Sequence, residues 1–205
     1  MKIYLSLLFL SLIVFKGFSQ ETENKSGWFS LGGRSTISSF SHDGFGIGTG
    51  GQFRIQVNNS INTDWFADYI SINIDDKIRS DYYHIGWSVL VYPFEKKEFN
   101  KKITPYFLAG HCFDFNRKIE IQNPNNAMQR WGSAVQAGLG VHFNLTNRLD
   151  ISLTSQYMMH LTNEIDYHEE GNNIHFEHHK HQTLEGHLLS TVSLNYKIVK
   201  LWGRK

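Results

Sequence analysis

The feature that most constrains this chain is a strict alternation of residue types along several long segments. Between Trp131 and Leu145, one set of alternate residues is mostly apolar, and the other consists of Gly, Ala, Gln, His and Asn. A helix would mix the two sets around its circumference, whereas a strand places them on opposite faces. The pattern therefore predicts a β-strand with one apolar face and one face of small and polar residues.

The same alternation recurs along most of the chain and predicts eight long strands. The predicted strands are 28–39, 45–57, 63–72, 82–93, 103–115, 131–145, 148–161 and 186–198. Strands in globular proteins average about five to six residues, whereas a tilted strand needs about nine to eleven to cross a bilayer. Because bacterial membrane barrels use an even number of antiparallel strands, we expect an all-β chain that forms an eight-stranded antiparallel up-and-down transmembrane β-barrel.

The links between the predicted strands differ in length on the two sides of such a barrel. If the amino terminus lies in the periplasm, the long links fall outside and the tight turns fall inside. The long links are 75–80, 117–129 and 163–183, and the tight turns are 58–60 and 144–147. This asymmetry is the one expected of outer-membrane barrels. The short outer link 41–44 and the long inner turn 95–102 depart from it.

The first nineteen residues have the pattern of a secretory signal peptide. Lys2 precedes a mostly apolar run over 3–15, and the small residues Gly17 and Ser19 come before a cleavage site ahead of Gln20. The run is too short to span a bilayer as a helix. The predicted organisation is a signal peptide 1–19, an amino-terminal lead 20–26, a barrel 27–199 and a basic tail 200–205.

Charge and composition exclude several classes of protein. The chain has 20 Lys and Arg against 19 Asp and Glu, and loss of Lys2 and Lys16 with the signal peptide leaves 18 against 19, a formal charge of −1. So little net charge offers no long-range attraction to nucleic acid, and a single cysteine excludes an intramolecular disulfide framework. A mean hydropathy of −0.36 still allows a membrane barrel, because half of each strand faces a polar interior.

The alternation alone does not decide whether the apolar face meets lipid or a dry core, so a secreted sandwich or lipocalin-like barrel is the alternative architecture. The predicted export and the long strands favour lipid outside. The small and polar faces carry Gly, Ser, Gln and Asn, whereas a soluble surface would carry more Lys and Glu. We therefore predict a location in the bacterial cell outer membrane.

Two short segments carry a family resemblance. Residues 103–110 read I-T-P-Y-F-L-A-G, with the pattern P-Y-x-x-x-G at the start of a strand, and residues 144–149 read N-L-T-N-R-L at an inner turn. Both resemble the small outer-membrane β-barrel (porin-like, eight-stranded) family of Gram-negative bacteria, over about 27–199. The resemblance implies outer-membrane lipid and the barrel assembly machinery as partners. The basic tail 200–205 departs from the aromatic end common in that family.

If lipid lies outside, alternate strand positions place twelve charged or histidine residues inside the barrel. These residues are Arg34, Arg54, Asp64, Asp68, His84, Asp114, His142, Arg148, Asp150, His160, Glu185 and His187. An eight-stranded barrel is barely wide enough for its own side chains, and an unpaired buried charge costs several kcal/mol. We interpret the set as a structural plug of ion pairs. A narrow pore or a proton-linked gate is the alternative.

A lipid-modifying outer-membrane enzyme is a further alternative. Such a hydrolase needs a Ser or Thr nucleophile beside a His base and an orienting acid, and Ser155, His160 and Glu185 contain these groups. A chain with eleven histidines offers many such sets, and no hydrolase motif surrounds this one. We therefore expect no catalytic residues and no enzymatic activity.

Histidines are concentrated towards the end of the chain, and the polar segment 167–181 is the sharpest local feature. In an extended conformation, three imidazoles and one carboxylate share a face. These residues are His175, Glu177, His179 and His181. The set suits zinc, and nickel or copper as well. Because it spans about 20 Å, one ion would use two or three of these residues, with 168–170 folding back to complete the site.

The same segment also supports a simpler interpretation, namely a solvated outer loop whose histidines protonate near pH 6 and change its charge. The function predicted from the sequence is a structural or surface-interaction role, in which the barrel displays polar outer loops to an unknown ligand. A metal-binding or pH-responsive surface protein is the alternative. No cofactor is expected apart from a divalent metal at 167–181.

Overall fold

The structure, a computed structural model, describes residues 26–40, 44–93, 102–162, 165–170, 173–178 and 186–202. The strands are β1 (Trp28–Phe40), β2 (Gly44–Gln56), β3 (Ile61–Ile74), β4 (Ile78–Val91), β5 (Ile103–Glu120), β6 (Ala127–Asn144), β7 (Leu149–His160), β8 (Ile165–Glu170), β9 (Asn173–His178) and β10 (Gly186–Lys200). In these ranges no helix is long and apolar enough to cross a membrane. The predicted signal peptide 1–19 and parts of the predicted lead and tail lie outside the described residues.

Eight strands close into a barrel in the order β1–β10–β7–β6–β5–β4–β3–β2, and β8 and β9 form a separate two-stranded sheet. All eight neighbouring pairs of the barrel are antiparallel. Closure pairs the backbone groups that would otherwise be exposed at a sheet edge. The predicted eight-stranded antiparallel up-and-down barrel is confirmed.

Strand β3 shows how the alternation sorts side chains between the two sides of the wall. Asp64, Phe66 and Asp68 are buried, whereas Trp65 and Tyr69 are 43% and 38% exposed. The other barrel strands repeat this pattern. The wall therefore has an apolar outer surface and a largely polar interior, which is the arrangement of a transmembrane β-barrel.

Aromatic rings form two rows across the outer surface of the wall. Within each row, rings on directly paired residues have centroids 4.8–6.4 Å apart. One row consists of Phe53, Trp65 and Trp87, and the other of Tyr69, Tyr83, Phe115 and Trp131. Cross-strand aromatic pairs of this kind contribute about 0.2–1 kcal/mol each, so the rows reinforce the register of β2 to β6.

The structure corrects the lengths of the predicted outer links. Strands β3 and β4 extend until only Asp75–Lys77 separates them, and β5 and β6 continue past the predicted ends to leave a link of 121–126. Asp75 and Asp76 both have positive φ, 50° and 54°, as a type I′ hairpin turn requires. The sequence pattern did not show these extensions because they are rich in polar residues. The hydrogen bonds between strand backbones form whether or not the side chains are apolar.

Two inner turns are stabilised by the same device. The Asn58 side-chain oxygen accepts hydrogen bonds from the amides of Ser60 and Ile61, both at 2.8 Å. The Thr146 hydroxyl oxygen accepts from the amides of Arg148 and Leu149, at 3.1 and 3.0 Å. Asn and Thr are favoured in turns because their side chains make such local bonds, and the short polar turns predicted at these positions have this origin.

A glycine on β6 makes room for an aromatic ring inside the barrel. Tyr106 of β5 is buried and directly paired with Gly140 of β6, and a Cβ atom at Gly140 would collide with the Tyr106 ring. The ring passes over this glycine, and its hydroxyl lies 2.7 Å from Thr154 Oγ1 on β7. The Gly140 position is therefore dictated by interior packing.

We expect Gly140→Val to displace the Tyr106 ring and to lower the free energy of unfolding by about 1–3 kcal/mol, the usual cost of overpacking. Gly33→Val is the matched control, because a Cβ at Gly33 meets no atom within 4 Å. Urea unfolding of both variants in lipid vesicles measures the difference. Equal destabilisation of the two variants would contradict the proposed role of Gly140.

Candidate functional site

The barrel interior gathers most of the charged residues that alternation assigned to it. Ten of the twelve are buried: Arg34, Arg54, Asp64, Asp68, His84, Asp114, His142, Asp150, His160 and His187. Arg148 differs, because it is exposed in the link before β7 and its guanidinium lies 5.9 Å from the Trp28 ring centroid. The predicted strand began at Arg148, one residue before the observed start of β7 at Leu149. Glu185 lies outside the described residues.

The first interior cluster lies towards the inner end and is centred on Arg54 of β2. Its guanidinium donates to both carboxylate oxygens of Asp64 on β3, at 2.6 and 2.9 Å, and reaches Asp150 Oδ1 on β7 at 3.3 Å. Strands β2 and β7 are separated by β1 and β10, so the contact to Asp150 crosses the interior. The Asn195 side chain donates to the same Asp150 oxygen at 3.0 Å.

His142 and several uncharged polar residues extend this cluster, and the sequence reasoning missed the uncharged ones. The two ring nitrogens of His142 lie 2.9 Å from Tyr92 Oη and 2.6 Å from Ser152 Oγ. Gln52 donates to Ser193 at 3.3 Å and also bonds to Asn195. Tyr92 is buried directly after β4, and the other missed residues occupy inward positions of their strands. A search of all inward polar residues would have found them.

A second cluster surrounds Arg34 of β1. Its Nε atom lies 3.1 Å from Asp68 Oδ1 on β3, and its guanidinium carbon lies 4.5 Å from the Phe66 ring centroid. Its terminal nitrogens donate to Gln52 and Thr191, each at 3.4 Å. Arg34 therefore joins three strands in addition to its own, and Asp68 compensates its charge inside the barrel.

The third cluster lies towards the outer end and is centred on Asp114 of β5, which is fully buried. Its carboxylate oxygens lie 2.8 Å from His160 Nδ1, 3.4 Å from His84 Nε2 and 3.2 Å from an Arg130 terminal nitrogen. The second nitrogen of His160 lies 3.3 Å from His187 Nδ1. Asp114 thus holds two imidazoles and one guanidinium from three other strands.

Arg130 was absent from the predicted interior set for an identifiable reason. The sequence reasoning started the strand at Trp131, whereas β6 begins at Ala127, which makes Arg130 an inward residue of that strand.

An apolar layer adjoins the Asp114 cluster and includes Cys112, whose Sγ lies 3.6 Å from Met158 Sδ. Side chains therefore occupy the interior at successive levels.

The structure does not assemble the hydrolase set that the sequence allowed. Ser155 and His160 lie on β7 at positions of opposite parity; His160 is buried inside, and Ser155 belongs to the outward-facing set. A nucleophile and its base must lie within hydrogen-bond distance, and the wall separates these two residues. Glu185 lies outside the described residues.

The hairpin β8–β9 lies within the predicted long outer link 163–183 and docks on the barrel. Its inner face carries Ile165 and Ile174, which are both buried, and Ile174 packs with Ile74 and Ile78 at the outer ends of β3 and β4. Tyr167 and Phe176 pack on the same side of the hairpin, and Lys118 Nζ lies 5.6 Å from the Tyr167 ring centroid. Residues 165–170 and 173–178 of the predicted outer link therefore form an amphipathic hairpin.

Polar contacts fasten the hairpin at two points. The Lys77 ammonium lies 2.6 Å from Glu169 Oε2, and Asn126 donates to the Ile174 carbonyl at 2.7 Å. The hydrogen bond to Glu169 raises the pKa of the Lys77 ammonium. Lys77 therefore keeps its charge at neutral pH and loses it only in strong alkali.

The opposite face of the hairpin is exposed and carries part of the predicted metal set. His175 and Glu177 share this face with His168, whose Nε2 lies 2.8 Å from Glu177 Oε1. His175 Nε2 lies 4.0 Å from Glu170 Oε2. His179 and His181 lie outside the described residues. Within the described part of the chain, no three His, Cys, Asp or Glu side chains are placed so that they could hold one metal ion.

Comparison with known proteins shows similarity of fold alone. No family model matches the sequence, and no curated protein is significantly similar to it. The crystal structure of Neisserial surface protein A (NspA) is 15% identical, with a TM-score of 0.53 over 84% of this chain and 98% of that one. A major outer membrane protein from Thermus thermophilus is 8% identical, with a TM-score of 0.57 over 83% and 99%.

The N-terminal β-barrel domain of Pseudomonas aeruginosa OprF is also similar, with 8% identity and a TM-score of 0.50 over 86% of this chain and all of that one. The fold is therefore that of the small eight-stranded outer-membrane β-barrels, as the sequence resemblance predicted. At these identities the similarity carries no information about ligands.

We expect Arg54→Ala to destabilise the barrel by about 3–5 kcal/mol, because it leaves the buried carboxylates of Asp64 and Asp150 without their cation. Arg148→Ala removes the same side chain from an exposed position and should cost less than about 1 kcal/mol. Urea unfolding in lipid vesicles compares the two variants. A neutral Arg54→Ala variant would show that the interior pairs do not support the fold.

Lys77→Glu should release the hairpin from the barrel, because it places a carboxylate beside Glu169. We expect protease cleavage within β8–β9 to become a few-fold faster while the barrel stays intact, since cleavage follows the population of the open form. Lys77→Arg retains the charge and is the control. Unchanged cleavage of Lys77→Glu would mean that the ion pair does not hold the hairpin.

Proposed function

We propose that the chain is a bacterial outer-membrane β-barrel that serves as a closed scaffold and presents the hairpin β8–β9 on its outer end for surface interaction. The observation that carries this proposal is the set of three buried ion-pair clusters within the barrel. They are centred on Arg54, Arg34 and Asp114, and each joins side chains from several strands. A conducting channel would need a continuous water path through the levels that these clusters occupy.

The outer surface supports a membrane location. Ile47, Ile85, Phe113 and Val192 are each more than half exposed, and a soluble protein rarely exposes so much contiguous apolar surface. In a bilayer these side chains contact lipid, so we propose outer-membrane lipid as the partner of the barrel's outer surface. Export by the signal peptide 1–19 and insertion by the barrel assembly machinery are parts of the same proposal.

The arrangement of polar residues favours a structural role over catalysis. In each cluster the charged groups contact one another, and in the third cluster they lie fully buried around Asp114. A hydrolase needs a nucleophile beside its base and open to substrate. We therefore propose that the chain has no enzymatic activity and that its outer hairpin is the interacting element.

Membrane fractionation and electrophoresis with and without heating test the location and the fold together. We expect the protein in the outer-membrane fraction, with a folded band that migrates differently from the heated one. A soluble protein with the same mobility before and after heating would overturn the proposal.

Single-channel recording in planar bilayers tests the closed interior. We expect no steady current from the parent protein, and none from a variant in which a short Gly-Ser link replaces 165–178, because the three clusters remain. Current from this variant alone would assign the seal to the hairpin, and current from the parent would contradict a closed scaffold.

A further inference from the structure

The pairing of β8 with β9 brings together histidines that are seven residues apart in the chain. His168 is directly paired with His175, and Asp166 is directly paired with Glu177. Directly opposite residues of an antiparallel pair have Cβ atoms about 4.5–5.5 Å apart and point to the same face. Two imidazoles therefore stand side by side, with Glu177 two residues along β9.

Because the opposite face of the hairpin is docked on the barrel, the face that carries His168, His175 and Glu177 is directed at solvent. Ile165 and Ile174 are buried, Ile174 packs against the barrel, and Glu169 pairs with Lys77 on the same side of the hairpin. Residues of the opposite parity must then face outward, and the side chains of His168 and His175 are each 63% exposed. Ions in the external medium can reach both rings.

We propose that His168, His175 and Glu177 form a binding site for a divalent transition-metal ion on the outer face of the hairpin. Two imidazoles and a carboxylate match the ligand preferences of Zn²⁺, and also of Ni²⁺ and Cu²⁺. A site of two imidazoles and one carboxylate does not suit Ca²⁺ or Mg²⁺, which prefer several oxygen ligands. Water completes the coordination of the ion.

The geometry requires only a small rearrangement. His168 Nε2 lies 2.8 Å from Glu177 Oε1, and two tetrahedral ligands that each lie about 2.0–2.2 Å from one ion are about 3.4 Å apart, so these two groups have to separate only slightly. The His175 ring has to turn from Glu170, which lies 4.0 Å away, towards its partner His168. The three groups do not converge in the described structure, but exposed side chains change rotamer without disturbing packing, so the His175 ring can turn to complete the site.

The cross-strand set is a better chelate than the single-strand set that the sequence suggested. Same-face neighbours on one strand are separated by about 6.8 Å, whereas the directly paired His168 and His175 have Cβ atoms about 5 Å apart. An ion held by residues from both strands also links β8 to β9. Metal binding therefore stabilises the hairpin as well as occupying its outer face.

Calorimetric titration of the full-length protein in detergent with Zn²⁺ tests the site, with Mg²⁺ as the comparison ion. We expect one Zn²⁺ site in the parent. His168→Ala and His175→Ala should each weaken Zn²⁺ affinity by at least about tenfold, because loss of a ligand costs more than the 10–100-fold typical of its supporting residues. The matched control is the double variant His179→Ala, His181→Ala, which should bind as the parent does.

Each other outcome contradicts the proposal in a distinguishable way. Loss of binding in the double variant with retention in His168→Ala would assign the metal to the single-strand set. Equal binding in all variants would show an adventitious ion, and no binding in the parent would remove the site. Heat-dependent mobility of each variant confirms that the barrel is folded, so the scaffold proposal stands or falls separately.

Discussion

The pairing of charges inside the barrel is the constraint on which the rest of this structure depends. Eight strands enclose a space barely wider than the side chains within it, so every inward charge must find a partner across a short distance. Arg54 meets this demand with carboxylates from β3 and from β7, on another part of the wall. Arg34 and Asp114 do the same at other levels. Removal of one partner leaves a charge that neither water nor lipid can solvate.

The same constraint accounts for the composition of the wall. A narrow interior accepts small polar residues and glycines, and larger groups fit only where a neighbour is small, as Tyr106 fits over Gly140. The outward positions are free of this restriction and carry large apolar and aromatic side chains such as Trp65 and Trp131. A packed interior with a lipid-facing exterior follows from these two requirements, and we propose that function lies in the parts that project beyond the bilayer.

The hairpin β8–β9 is such a projection, and it combines two surfaces. One is apolar and docks on Ile74 and Ile78, and the other is polar and carries His168 and His175. The docked face fixes the position of the polar face, because a hairpin alone is marginally stable in water. The exposed histidines are therefore held at a fixed position on the outer side of the barrel, where an external ligand can reach them.

Local pattern and tertiary contact contributed differently to the site. Ten of the residues that alternation assigned to the interior are buried in the structure, since parity along a strand is a local property. It failed at Arg148 and missed Arg130, because both lie at strand ends, where polar composition obscures the boundary. It also offered Ser155 and His160 as a pair, although their positions on β7 have opposite parity. Neutral members such as Tyr92 carry no charge to single them out.

The sequence by itself determined the number of barrel strands, their direction and the face on which each side chain lies, because a period of two is written into consecutive residues. Only the tertiary structure decided which charges meet across the interior, since the contact of Arg54 with Asp150 depends on closure and register. It also decided that residues 165–170 and 173–178 of the outer link form a docked hairpin, because Ile174 gains burial against Ile74 and Ile78 of the barrel.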